Sequence, residues 1–163
     1  MEPGTFMANE LTKTREWTQQ LLEDFEGDDW GYQLKDELFH ATWLVGHVAW
    51  AQHGLVMRRC FGEGPLDAAF SDPFKIGTTP GPVSGGAYPA VGDLLAHFDR
   101  VQEMVVDKVR GMTAADLETT LEGKPHPMFS TRGGAVVHST RHEAFHAGQI
   151  ATIRRMLGRS PLR

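Results

Sequence analysis

The sequence predicts an all-α chain folded as a four-helix bundle, and three observations lead there. Apolar residues recur at helical spacing in four long stretches. Glycine and proline clusters separate those stretches. The 163 residues, 40% hydrophobic and 23% charged, have the size and composition of an ordinary globular domain with a real core. Residues 1–163 are expected to form one domain, with no internal repeat or low-complexity run.

The first helix is expected over residues 5–25, where Met7, Leu11, Leu21, Leu22 and Phe25 share a face and Glu10, Lys13, Arg15 and Glu23 occupy the other side. Gly27, Asp28 and Asp29 break it. A second helix is expected over 36–61, N-capped near Asp36 and stopped by Gly62. It is apolar on most sides, which marks the most buried member of a bundle, and small residues at Gly46, Ala49 and Gly54 admit close neighbours. From Gly62 to Val91, five prolines (Pro65, Pro73, Pro80, Pro82, Pro89) stand among several glycines with neither helical nor strand period. A connection this long usually shapes a binding site or crosses the bundle. It is not a phosphate loop, because Gly77–Gly86 lacks the Gly-Lys-Ser/Thr ending and a preceding strand.

A third helix follows over 92–110, with Leu94, Phe98, Val101, Val105 and Val109 on one side and Gly111 at its end. Thr113 and Asp116 form a capping box that opens a short turn through Leu117. Pro125 and Pro127 mark a loop. The fourth helix starts between Ser130 and Gly134 and runs to Leu157, where Gly158 and Pro161 stop it.

Charge and composition exclude several classes. A net charge of −5 with dispersed Lys and Arg argues against nucleic acid as a partner, and the four arginines of the last ten residues do not change that. The N-terminus has no apolar leader core, and no run of about 18 apolar residues suits a membrane span, so a cytoplasmic location is expected. The lone Cys60 can build neither a disulfide framework nor a thiolate metal site, and is read as structural. Any bound metal must be held by imidazole or carboxylate.

The chemistry concentrates in His142-Glu-Ala-Phe-His146. Histidines at i and i+4 share a helix face and can close on one ion. The letters also match the zinc-protease signature H-E-x-x-H, in which the glutamate is the general base. Such a protease takes a third ligand downstream, yet residues 147–163 contain no Asp, Glu or His. The third ligand must come from upstream, which weakens the protease reading. Glu143 is rotated about 100° from His142 around the helix, which makes it a residue supporting the site or a surface residue.

Within the second helix, Trp43, His47 and Trp50 lie in a narrow arc, so His47 points into the most buried surface and is the best third-ligand candidate. His40, His53 and His97 are read as hydrogen-bonded core histidines, and His126 lies in a loop. On spacing alone, His138 with His142 would chelate as well as His142 with His146. Trp43 and Trp50 either wall a pocket or are plain core.

Trp43-Leu-Val-Gly-His47-Val-Ala, Leu94-Leu-Ala-His-Phe-Asp-Arg followed by Gly-Met-Thr-Ala-Ala-Asp-Leu117, and His142-Glu-Ala-Phe-His146-Ala-Gly-Gln149-Ile together resemble the DinB/YfiT-like superfamily. The resemblance covers residues 34–157. It implies a bundle of up-down-down-up course with a long link between helices two and three, one divalent metal held by His47, His142 and His146, and a homodimer. It thus selects the later histidine pair over His138. One departure is that many members have His-Arg-Gly-Gln where this chain has His146-Ala147-Gly148-Gln149.

A three-imidazole site with an open position suits zinc first and nickel next. Such an ion lowers the pKa of water or a thiol, or polarises a carbonyl. The resemblance implies a metal-dependent enzyme, a small-thiol-dependent S-transferase or a hydrolase acting on a small electrophile, with a low-molecular-weight thiol as co-substrate. The alternative is a metal-binding stress-response or interaction protein without catalysis, and the zinc protease comes last. His138, Gln149, Trp43 and Trp50 are the candidates for supporting or lining the site.

Overall fold

A computed structural model describes residues 1–36, 38–123 and 125–162 of the chain. Four long helices dominate it: α1 (Pro3–Leu22), α2 (Ala41–Gln52, continuing through a π-helical turn at His53–Arg58 and a last turn at Arg59–Phe61), α3 (Val91–Arg110) and α4 (Arg132–Met156). The described residues contain no strand, only two isolated bridges, Thr120 with Thr131 and His126 with Phe129. No helix among them is long and apolar enough to cross a membrane.

The course of the chain follows from which ends meet. A Cβ at Gly4 would lie 2.4 Å from the Met112 carbonyl oxygen, so the start of α1 crosses the end of α3 and the two run antiparallel. Arg154 near the end of α4 donates to the Leu21 carbonyl and pairs with Asp24, so α1 and α4 run parallel. The Cys60 thiol lies 3.8 Å from the Arg132 carbonyl, which sets α2 against α4. Leu44 clusters with Leu94 and Phe98, and Met57 with Val101 and Val109, so α2 and α3 are parallel. This is the up-down-down-up course, and two parallel neighbours require the long crossover 62–90. α1 and α2 each pack on α3 and α4 and sit diagonally across the bundle.

Element boundaries differ from expectation where side chains intervene. α1 begins at Pro3, whose missing N–H costs nothing in a first turn. It ends at Leu22, and Phe25 enters the core from the following turn, edge-on to Trp30. α2 starts at Ala41, not Asp36; Glu37, within the expected span, lies outside the described residues. The cap is His40, whose Nδ1 accepts from the Trp43 backbone N–H at 3.1 Å. Its Nε2–H donates to the Gly81 carbonyl at 3.1 Å. The Thr113–Asp116 capping box forms as expected, and Thr131 caps α4.

Arg15 also departs from expectation: it is buried, within the stripe Gly4, Ala8, Leu11, Thr18 and Leu22 that α1 turns inward. The terminal arginines have local work, since Arg154 pairs with Asp24 and Arg159 with Asp29. Arg163 lies outside the described residues.

The crossover 62–90 carries short helical turns at Ala68–Ser71, Asp72–Phe74 and Val83–Gly85. Its Phe74 is fully buried against Gly46, where a Cβ would sit 2.3 Å from the ring. Glycine at 46 therefore admits the crossover into the bundle. Gly54 does the opposite of what its size predicted: nothing lies within 4 Å of its Cβ position, and it faces open space.

Candidate metal centre

α4 places His142 and His146 on one face, one turn apart, and α2 runs antiparallel beside it with His47 opposite them. One ring nitrogen from each of the three histidines lies within 4.8 Å of the others. The His142 and His146 Nε2 atoms are 3.2 Å apart. Ligands at about 2.0–2.1 Å from a tetrahedral ion are about 3.3 Å from one another, so this spacing fits a shared ion with little adjustment.

Hydrogen bonds to the outer nitrogens orient the rings. His47 Nδ1–H donates to the Phe74 carbonyl at 2.8 Å, and His146 Nδ1–H donates to Gln149 Oε1 at 2.6 Å. Both bonds leave Nε2 as a lone pair, the tautomer a metal needs, and outer partners of this kind raise ligand basicity. Trp43 stacks on His47 at 4.5 Å and 11°, and its indole N–H is itself held by the Pro73 carbonyl and Thr78 hydroxyl. The crossover thus positions one candidate ligand twice, directly through Phe74 and indirectly through Trp43.

Burial keeps these imidazoles neutral. It pulls His47 from 6.5 to about 4, against the Phe74 hydrogen bond and with a smaller push from His146. His142 falls to about 3, mainly through burial and further through His146, His47 and His138. His146 is lowered by burial and partly restored by Gln149. Near neutral pH all three present lone pairs and no proton has to leave. A neutral His142 donates Nε2–H to the His146 Nε2 lone pair across this 3.2 Å gap, and a shift to its other tautomer frees both nitrogens for a cation. The donor set therefore fits a divalent transition metal.

The site has space beside it. His47 and His142 line a cavity of about 350 Å³ walled by Trp50 and Ile76, with His126 and His138 across from them. The structure thus divides the aromatic pair: Trp50 faces the cavity and Trp43 supports His47 from the core. It also separates His138 from the triad, its ring 6.3 Å from His142 and 5.0 Å from His126. Gln149 meets His146 at its outer nitrogen.

Glu143 faces the other way. It is buried, and Arg15 grips it with Nε to Oε1 at 2.7 Å and the second guanidinium nitrogen to Oε2 at 3.2 Å. Arg15 also donates to the Phe98 carbonyl at 2.6 Å and to Gln52 Oε1 at 3.1 Å, and Gln52 continues to Gln102 at 2.6 Å. All four helices contribute to this network. A carboxylate so engaged is no general base, and the H-E-x-x-H resemblance stops at the letters.

His40 is the α2 cap described above, and His97 stacks on Phe70 at 4.2 Å; neither reaches the cluster. His53 is buried, outside the cluster. Cys60 is buried, its thiol pushed up to about 11 by burial, as suits a structural residue. Sequence reasoning did not find Phe74, Arg58, Arg59 or His126 as neighbours of the site. Arg58 carried a readable sign, standing eleven residues, three helical turns, after His47.

The DinB superfamily profile matches residues 10–150. The chain belongs to the DinB superfamily. A crystal structure described as the conserved protein of locus from Enterococcus faecalis superposes with a TM-score of 0.76 over 98% of this chain and 99% of that one, at 15% identity, and shows the same fold. No curated protein matches the chain. As a DinB superfamily member with a three-histidine cluster, it fits a metal-binding protein of that superfamily.

Proposed function

We propose that this DinB protein is a divalent-metal-dependent enzyme that uses His47, His142 and His146 to promote transfer of a small thiol to, or hydrolysis of, a small electrophile. One observation carries the reading: three neutral imidazoles converge beside a solvent-reached cavity of about 350 Å³, large enough for a metabolite-sized ligand. Zinc is the favoured ion and nickel the next. Bound there, it would supply Lewis acidity and make a thiol or water more acidic. The chain's own residues do the rest: Phe74 and Gln149 hold the ligand rings, and Trp50 and Ile76 give the cavity apolar walls.

The cavity is what favours an enzyme over a metal-binding protein without catalysis, which needs the histidines but no space beside them. A homodimer belongs to the same reading, supported by Leu34, Phe145 and Met156, which are 57%, 65% and 48% exposed. So does a cytoplasmic location with a small-molecule substrate rather than nucleic acid or membrane.

The deciding experiment is elemental analysis of untagged protein for wild type, His47→Ala and His142→Ala. Near-stoichiometric zinc or nickel, lost in both variants, supports the site, and thiol consumption is then assayed with model electrophiles. Wild type that takes up no metal after reconstitution ends the enzyme reading. Metal without thiol-dependent or hydrolytic turnover leaves the non-catalytic alternative.

A further inference from the structure

The cavity beside the triad has a charge character at odds with the chain. The protein has 21 acidic and 16 basic residues, yet among the described residues no Asp or Glu lines this cavity, while Arg58, Arg59, His126 and His138 do. Arg58 is exposed and makes no hydrogen bond or ion pair with the described residues. Arg59 lies with its guanidinium 5.8 Å from the Phe129 ring, which stacks on His126 at 4.0 Å, so arginine, aromatic ring and histidine form one layered wall.

The backbone explains why two consecutive arginines face the same space. Arg58 ends the π-helical turn His53–Arg58 and Arg59 begins the turn after it. A π turn holds more residues than an α turn, so successive side chains rotate less, and Leu55, Arg58 and Arg59 all remain on the side that His47 and Trp50 define. Gly54, inside that turn, also lines the cavity, with nothing within 4 Å of its Cβ position. Such π turns are often found at functional sites.

We infer that the cavity takes a small anionic ligand, whose carboxylate or phosphate group binds Arg58 and Arg59 while its other end reaches His47 and His142. This rests on the metal-site reading for the far end of the ligand, but the arginine end stands without it. The oxyanion class follows from the donors, because guanidinium groups match planar and tetrahedral oxyanions bidentately and the exposed Arg58 has no ion-pair partner among the described residues. The apolar stretch of Trp50, Leu55 and Ile76 between the ends suits a short hydrocarbon linker.

Two titrations test this. In metal-loaded protein, calorimetry compares 3-mercaptopropionate with its neutral amide; the acid should bind at least about tenfold tighter, as charge-assisted hydrogen bonds imply. Arg58→Gln with Arg59→Gln should reduce the gap to about threefold or less, with metal content unchanged. Arg58→Gln alone, on an exposed side chain, should shrink the gap part-way and serves where the double variant does not fold. Equal affinities for acid and amide, or a gap that survives the substitutions, overturn the inference.

In metal-free protein, inorganic phosphate and succinate should each give saturable shifts of the His126 and His138 ring signals that the double variant lacks, and the stronger binder tells phosphate from carboxylate ligands. If the protein takes no metal, the enzyme reading fails and this second titration alone decides the subsite: saturable shifts keep it, and none overturns it.

Discussion

Neighbouring residues of α4 serve two buried polar clusters of opposite character. Glu143 enters a network with Arg15, Gln52 and Gln102 in which each charge is met by its opposite and the guanidinium lies 3.3 Å over the Phe98 ring. His142, one residue earlier, enters a cluster with no formal charge, satisfied on the outer nitrogens of His47 and His146, with ring nitrogens turned inward and open space beside it. Polar burial alone therefore does not mark a functional site in this bundle. Spare coordinating capacity next to accessible volume is what singles out the candidate site.

The sharpest way to break that contrast is to remove half of each cluster. Glu143→Gln leaves the Arg15 guanidinium buried without its counter-charge and should destabilise the protein by about 3–5 kcal/mol in urea unfolding. Arg15→Met combined with Glu143→Leu should recover most of that loss, as apolar replacement of a buried pair commonly does. Metal content of the folded double variant should stay at wild-type level; if it falls, the two clusters are coupled. Conversely, His142→Ala should reduce metal affinity by more than about 100-fold, beyond what loss of an outer-shell partner costs, while urea stability of the metal-free protein changes little.

Smaller effects separate holding from binding. Gln149→Ala and Gly46→Ala should each weaken metal affinity by about 10–100-fold, the first by freeing His146 and the second by displacing Phe74 from His47. A competition assay with a chromophoric chelator measures both; unchanged affinity would show that the outer partners are incidental.

Acid sensitivity should be the mildest distinction. The metal-free protein holds His47 and His142 at about 4 and about 3, below the unfolded value of 6.5. Between about pH 6.5 and 4 the unfolded chain binds more protons, so stability falls as pH falls through that window. Above it these histidines contribute no pH dependence. His47→Ala should flatten the slope, as read by urea midpoints from pH 7.5 to 4.5.

The sequence made the histidine cluster easier to see than the salt-bridge network. The i, i+4 pair on α4 and a histidine centred on the most apolar helix define a cross-helix meeting point once a bundle is assumed. Arg15 offered no such sign, because α1 carries charges on nearly every turn and its partner lies 128 residues away. The short start of α2 was hidden because His40 is an unusual cap, and the work of Phe74 was hidden because a loop has no period to read. The π turn breaks the regular helical count on which every facing assignment rests, so Arg59 and Leu55 gained their place at the cavity from geometry that spacing does not encode.

Phe74 sits at the junction of these effects. Its ring fills the notch at Gly46 while its carbonyl holds His47, so docking of the crossover and readiness of the site are one event. Reciprocity follows: an ion held by His47 would restrain residues 62–90 with the same free energy by which their docking favours the ion. Amide protons of the crossover should therefore exchange more slowly when metal is bound, although the hydrogen bond from the crossover to the triad is the single one at the Phe74 carbonyl among the described residues, and a protease that nicks the crossover should do so sooner in chelator.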